Sequence, residues 1–454
     1  MRASGAVHDA WHTESHVAFV PMQGTDAAVI AGIDGASLST SPREHALETI
    51  LDGPDHDEVT RAAKLGRGEL GRILFASTLE VSFVGFAPGF GYLRGLDPRL
   101  HLPRRDTPRP RIGRGALALA GGFAGIYPSA TSGGWNVVGR VTTPMLDDEG
   151  PLLAAGDRVR LVPASSDVTL RDPERHAPPA ERPALILSEV RGLSFVQDGG
   201  RRGRLHQGVP VSGALLPGAL AAANAAVGNA PDAAGIERYG ALKITALMDL
   251  SIAEGDGRVR RVAAGESIDL DWHAEARAGY VAFAGGIDVP LVLGGRGTHV
   301  RAGLGGLGGR ALRRGDGLCL FPARSTMPVG ATTAAPRSLD PAAKIRIQPG
   351  PDLSAFAEGS IARLTAQPFR LSHQSDRMGT RLEGARIETR AGHLAVSAPL
   401  VQGAIEVPPS GEPIVLGPEH PTTGGYPVIA VVRDADLPAL LSRPLGSLVR
   451  FTLG

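Results

Sequence analysis

The chain has 454 residues, 43% hydrophobic and 20% charged, with a formal net charge of +1. That length is a prior for about three ordinary domains, and a balance so near neutral argues against nucleic acid as main partner, because a phosphate-tracking surface needs an excess of cations. No apolar run approaches the roughly 20 residues of a membrane span, and the single cysteine, Cys319, excludes an intrachain disulfide.

Residues 1–43 are polar, rich in His and weakly periodic, and read as a short, partly disordered lead-in. They contain no apolar segment of the secretory kind, so a cytoplasmic protein is the simplest expectation. The stretch 57–77 has the apolar spacing of one or two short helices. Next comes "SFVGFAPGFGYLRGL" (82–96), which concentrates Phe83, Phe86, Phe90 and Tyr92 among glycines although aromatics make up only 4% of the chain. It precedes "LPRRDTPRPRIGRG", a cluster of arginines held by prolines. Bare backbone, aromatic walls and fixed cations suit a small anionic substrate. A Gly-Phe turn that packs a barrel mouth over a solvated basic loop fits the composition equally well.

Three echoes organise the chain. "AAGDRVRLVPAS" (154–165) and "RRGDGLCLFPAR" (313–324) share a Gly-Asp turn feeding a period-two strand, and "PLGSLVRFTLG" (444–454) is a weaker third copy. "ALALAGGFAGIYP" (116–128) resembles "GYVAFAGGIDVP" and, faintly, "LVQGAIEVP". "TSGGWNVVG" (131–139) pairs with "TTGGYPVIA" (422–430). Three endings of one kind predict three related β units, each closed by such a strand. The Pro-rich, charged segment 171–183 reads as a linker and 328–344 as a softer boundary. Between them, 216–229 reads as an Ala-rich helix with Pro217 near its start and Gly228 at its end. The expected organisation is thus a lead-in (1–43), a first barrel (44–170), the linker (171–183), a second barrel (184–335) and a third (336–454).

Lysine occurs only at Lys64, Lys243 and Lys344, none after a Gly-rich turn, which excludes a Walker-type ATPase. The literal G-x-G-x-x-G at Gly303, Gly305 and Gly308 leads into a Gly-Asp turn rather than a helix, so it is no dinucleotide fingerprint. It remains an arginine-bearing loop, either an anion-binding nest or a barrel corner. Asp198 and Arg201 in "SFVQDGGRRGRLHQG" could serve as base or metal ligand and as phosphoryl clamp, or could simply brace the loop. Asp376 and Arg377 in "SHQSDRMGTRLEG" present the same pair of readings. The histidines show no metal spacing and no covalent nucleophile stands out, so no metal ligands are expected. Cys319, in "GLCLFPA", is expected to be a buried, inert thiol.

The run from "GFAPGFGYLRGL" to "SGGWNVVGR" resembles the signature region of allophanate hydrolase subunit 1 proteins, which are also called 5-oxoprolinase B subunits or the sporulation-kinase inhibitor family. "VQDGGRRGRLHQGVPVSGALLPG", "GGRGTHVRAGLGGLGGRALRRGD", "SDRMGTRLEG", "GAIEVPPSGEPIVL" and "TTGGYPVIAVV" are similar to the subunit 2 family, the 5-oxoprolinase C subunits. The resemblance spans about 44–454 and implies a fusion of the two families. It further implies a mainly β fold of three cyclophilin-like barrels, one in the first half and two in the second. The implied activity is ATP-dependent opening of 5-oxoproline to glutamate, with Mg accompanying ATP and with a separate third component, the 5-oxoprolinase A subunit. The implied alternatives are the carboxyltransferase part of a urea carboxylase, using a partner's biotin, or a regulatory protein of the kinase-inhibitor kind without turnover.

Carried onto this chain, the resemblance implies catalytic roles for Arg140, Asp198, Arg201, Asp376 and Arg377. Substrate or nucleotide contacts fall to Arg104, Arg105, Tyr127, Gly133, Gly134, Trp135, Gln197, Arg301, Thr422, Thr423, Gly424 and Gly425. Pairing of barrels within one chain and across a homodimer are both open. Several motifs depart from the family pattern. A Gln-Thr pair has become Phe123-Ala124, Ser132 replaces a proline, Leu74 stands near the place of a His, Gly-Ala-Met-Asp reads Gly213-Ala214-Leu215-Leu216, and Pro421 replaces the Gln before Thr-Thr-Gly-Gly.

Overall fold

The computed structural model describes residues 7–13, 17–21, 41–172, 181–272, 277–323, 343–390, 392, 394 and 397–454. Most of the expected linker and of the softer boundary therefore lies outside the described residues, as does much of the lead-in. Within the lead-in, β1 (Val7–His12) and β2 (Val17–Pro21) form an antiparallel hairpin that weak periodicity did not predict. Among the described residues no helix is long and apolar enough to cross a membrane.

The fold is mainly β. Residues 57–77 give two short helices, α1 (His56–Ala62) and α2 (Glu69–Ala76), separated where Lys64 and Gly68 adopt left-handed backbone (φ 54° and 71°). The Ala-rich segment forms α3 (Pro217–Ala226), with proline in the first turn and Gly228 at φ 76° just beyond the end.

The first barrel uses β3 (Glu44–Ile50), β4 (Thr78–Val84), β5 (Gly91–Arg94), β7 (Ala116–Ala120), β8 (Phe123–Ile126), β10 (Asn136–Val141) and β11 (Arg158–Pro163). They close in the order β10-β3-β11-β4-β5-β8-β7. β6 (Arg109–Ile112) and β9 (Thr131–Gly133) form a separate ribbon. Leu47, Leu79, Leu93, Leu117, Val138 and Leu161 fill the interior, where alternation along each strand sends one face inward.

The middle segment carries β12 (Leu185–Val190), β13 (Ser194–Gln197), β14 (Gly235–Arg238), β15 (Leu242–Ala246), β16 (Leu250–Glu254), β17 (Val259–Val262), β18 (Ser267–Leu270), β19 (Gly279–Phe283) and β20 (Gly317–Leu318). A four-stranded sheet, β18-β15-β12-β20, and a five-stranded one, β13-β14-β19-β16-β17, enclose one core that includes Leu187, Ile236, Ile244, Ile252 and Phe283.

The last segment carries β21 (Ile345–Pro349), α4 (Ser360–Ala366), β22 (Phe369–Leu371), β23 (Gly379–Glu383), β24 (Ala404–Glu406), β25 (Ile414–Leu416), β26 (Val428–Val432), α5 (Leu437–Leu441), β27 (Leu448–Val449) and β28 (Phe451–Leu453). Its sheet runs β27-β22-β23-β25-β24-β26-β21-β28, so both ends belong to one chain segment interrupted at Arg450.

This order repeats that of the first barrel. β11 pairs parallel with β3 and antiparallel with β4, while β28 pairs parallel with β21 and β27 antiparallel with β22. The faintest echo in sequence is therefore the topological equivalent of the first ending. The stronger copy at 313–324 yields only β20, antiparallel to β12. What those two stretches share is turn chemistry: Gly156 and Gly315 both have φ 90°, and Asp157 and Asp316 each accept a hydrogen bond from the backbone three residues earlier, Ala154 N (3.0 Å) and Arg313 N (2.8 Å). Cys319, within that stretch, is only partly buried, its Sγ 3.3 Å from the Arg182 carbonyl.

Two compact units result. The first comprises Met1–Glu174 with Arg202–Pro210 and Pro421–Gly424, and the second comprises Arg175–Arg201, Val211–His420 and Gly425–Gly454.

Candidate functional site

On the outer face of the first barrel, the small residues Ala116, Ala118 and Ala120 of β7 leave a floor on which Phe83, Phe90, Tyr92, Tyr127 and Trp135 cluster. Phe83 and Tyr92 stack at 4.1 Å between centroids, and Phe90 meets Tyr127 and Trp135 edge-on at 5.2 and 5.4 Å. Glycine at 125 is required here, since an added Cβ would come within 2.9 Å of both the Phe90 and Trp135 rings. Gly133 is pressed in the same way against the Tyr127 hydroxyl. The loop of the Gly-Phe run is held by Gly85 N donating to Phe90 O (3.0 Å) and Phe90 N to Ala87 O (2.9 Å). At its tip Phe86 adopts φ 64°, a strained conformation for a bulky residue.

The segments of the second half that belong to this unit lie on that loop. Thr423 Oγ1 is 3.3 Å from the Tyr92 hydroxyl, Gly89 N donates to Gln207 O (3.1 Å), and Leu205 N donates to Asp9 Oδ2 in the N-terminal hairpin (2.7 Å). Thr422 and Thr423 are fully buried. Burial raises the Tyr127 hydroxyl above the usual phenol range, Tyr92 adds to this, and Arg104 and Arg109 oppose it. Tyr127 is therefore a hydrogen-bond donor at neutral pH, with Arg104 as a nearby cation.

The other arginines of the first half are engaged elsewhere. Arg105 pairs with Asp55 (2.7 Å), whose carboxylate also takes both Nη atoms of Arg109 (2.6 and 2.7 Å) and Val137 N (2.7 Å). Asp55 is 1% exposed. Arg140 is held by Asp52 (2.8 Å) and Asp167 (2.7 Å).

In the second unit Gln197, Asp198 and Arg201 do come together. Arg201 is fully buried, its Nε donating to Val292 O (3.0 Å) and Nη2 to Gly297 O (2.7 Å). Asp198 accepts from Gly200 N (2.9 Å) and Arg296 N (2.5 Å), and Gln197 Nε2 donates to Thr298 O (2.9 Å). The glycine-rich loop wraps this cluster. A Cβ on Gly305 would run into the Arg201 guanidinium and one on Gly306 into the Thr298 hydroxyl. The glycines thus admit the chain's own Arg201, as a barrel corner would. Burial lowers the Arg201 pKa from its usual value, and Asp198 and Glu419 oppose the shift. Gln197 Oε1, Arg201 Nη1 and Thr298 Oγ1 are buried and have no hydrogen-bond partner among the described residues.

Asp376 and Arg377 point apart. Asp376 meets Arg301 at 3.2 Å, with both side chains about half exposed. Arg377 is buried, donates to Glu419 (Nε, 2.6 Å) and also bonds Glu237 and the Gly213 carbonyl. Glu237 in turn accepts from the hydroxyls of Tyr239 (2.7 Å) and Tyr280 (2.8 Å) and from Leu215 N (2.7 Å). Burial alone would lower the Arg377 pKa, but Glu237 and Glu419 outweigh it and keep the guanidinium charged. Sequence reasoning missed Asp55, Glu237 and Glu419, which carry no local signal, and singled out Tyr92 only as one ring of the aromatic run. Among the described residues no group of three or more His, Cys, Asp or Glu is arranged to hold a metal ion.

Two family models match, described as carboxyltransferase domain, subdomain C and D (22–153), and carboxyltransferase domain, subdomain A and B (207–453). The chain is 37% identical over 279 residues to the C subunit of 5-oxoprolinase from Escherichia coli K12, covering 56% of this chain and 86% of that protein. It is 41% identical over 121 residues to the B subunit of 5-oxoprolinase from Escherichia coli O157:H7, covering 26% of this chain and about half (55%) of that one. The crystal structure of TTHA0988 superposes with a TM-score of 0.86 at 31% identity, covering 98% of this chain and 93% of that one.

Proposed function

The chain belongs to the carboxyltransferase-domain family, with a part similar to 5-oxoprolinase B subunits followed by a part similar to C subunits, and on that premise we propose that it is the fused B and C component of an ATP-dependent 5-oxoprolinase working with a separate third subunit. The observation that carries this reading is Thr423 Oγ1 at 3.3 Å from the Tyr92 hydroxyl. A motif of the C-like half thereby completes the aromatic face of the B-like barrel.

A lactam carbonyl is stabilised by amide resonance, and phosphorylation of its oxygen by ATP, a co-substrate, would make the carbon a good electrophile for water. On this reading the aromatic walls take the ring methylenes, Tyr127 donates to an oxygen of the substrate, and Arg104 supplies the positive charge for its carboxylate. On the same reading Mg would accompany ATP, bound to its phosphates.

The test is formation of ADP and glutamate by the purified chain mixed with its third subunit, with and without 5-oxoproline. Matched release of both products that depends on 5-oxoproline is expected. No such release from a folded mixture would sink the reading. The description of the matched family models favours a second reading, carboxyl transfer. It requires a biotinylated partner, since the sequence contains no Ala-Met-Lys-Met, and predicts turnover only when that partner is added.

A further inference from the structure

The repeated strand order allows residue-by-residue comparison of the two outer barrel faces. In the first barrel Tyr92, Gly125 and Ala118 stand opposite one another on β5, β8 and β7. In the last barrel the corresponding row is Arg381, Ile414 and Glu406 on β23, β25 and β24. Two observations fix the correspondence. The neighbouring Leu93 and Leu382 are both interior core residues. The register between β7 and β10 also slips beside Ala118, as that between β24 and β26 slips beside Glu406. Where the first barrel has an aromatic floor, the last one has a carboxyl and a guanidinium.

Glu406 is 9% exposed, and no hydrogen bond or ion pair to a described residue engages its carboxyl. The same face carries the apolar cluster of Leu400, Ala404, Leu416 and Val428. Burial there pushes the Glu406 pKa up to about 7, against the pull of Arg381. Arg381 itself is exposed and forms no ion pair with a described residue.

We infer that this face is a second small-molecule site, taking a molecule with a carboxylate and a lactam, the carboxylate on Arg381 and the lactam edge paired with Glu406. A protonated carboxyl offers an O–H donor beside a carbonyl acceptor. A lactam ring holds its N–H and C=O on one edge, so two hydrogen bonds form together, whereas a trans amide turns them to opposite sides. 5-Oxoproline carries both groups, and ring opening destroys the edge that Glu406 reads. The choice of lactam rests on the 5-oxoprolinase reading.

Calorimetric titration of the full chain with 5-oxoproline tests this. Arg381→Ala, at an exposed position that folding tolerates, and Glu406→Leu are each expected to weaken one binding event about tenfold or more. Glu406→Gln, which keeps a donor and an acceptor on one edge, stays within about threefold of wild type. The lactam 2-pyrrolidinone, lacking the carboxylate, is expected to be insensitive to Arg381→Ala. Titrations unchanged by Arg381→Ala and Glu406→Leu, equal loss in Glu406→Gln and Glu406→Leu, or no binding to wild type would each overturn the site. Turnover with the third subunit is scored separately. ADP formation without binding that depends on Glu406 removes this site and leaves the activity standing; the converse removes the activity and leaves the site.

Discussion

Arg377 shows how a single buried charge can be fixed. It lies between Glu237 and Glu419 with side chains 8%, 0% and 3% exposed, so removing it strands two carboxylates in a low-dielectric interior. Arg377→Leu is expected to reduce stability by about 3–5 kcal/mol, read from urea unfolding; a loss under about 1 kcal/mol would mean that the carboxylates find other partners. Glu406 makes the opposite case. Below its usual pKa of 4.5 the carboxyl is protonated in both folded and unfolded chains, and pH has no leverage through it. As pH rises, the unfolded chain ionises first, so folding loses stability progressively up to the raised pKa of about 7 and no further beyond it. Glu406→Gln should therefore match wild type at pH 4 and exceed it at pH 8 by up to about 3 kcal/mol, seen as a difference in melting temperature that grows across that window. A constant difference would contradict this.

At the scale of elements, the helices were legible because periodicity, Pro217 and Gly228 are local signals. The echoed strand endings were legible for a different reason, since they report a Gly-Asp turn that two unlike strands share. The partners of Arg377 were not legible: Glu237 and Glu419 lie 140 and 42 residues away, and no local pattern connects them. The same holds for Asp55, whose arginines follow 50 and 54 residues later. The aromatic cluster was half legible. Its rings stood out against a chain poor in aromatics, but the need for Gly125 appears only once β8 lies beneath Phe90 and Trp135. Gly125→Ala is expected to lower stability by about 1–3 kcal/mol through overpacking and to change near-ultraviolet dichroism from Trp135; a spectrum identical to wild type would show that the rings can give way.

At the scale of the whole molecule, one matched family model ends at residue 153 and the other begins at 207, and the Pro-rich segment expected as a linker falls between them, yet the compact units are not simply the chain before and after it. Arg202–Pro210 and Pro421–Gly424 belong to the first unit although they follow the linker. The first half produced alone, residues 1–170, is thus expected to expose its aromatic face, bind a hydrophobic dye and melt at lower temperature than that unit in the full chain. Addition of the second half as a separate chain should reverse both effects. Equal melting temperatures would show that the returning segments contribute nothing to the first unit.

Those returning segments also set a schedule for biosynthesis. Tyr92 and Thr423 are 331 residues apart, so at about 5–20 residues per second the ribosome needs on the order of twenty to sixty seconds between the two. During that interval the nascent first barrel waits with its aromatic face open to chaperones, and it is finished only after the segment that carries Thr423 has left the ribosome.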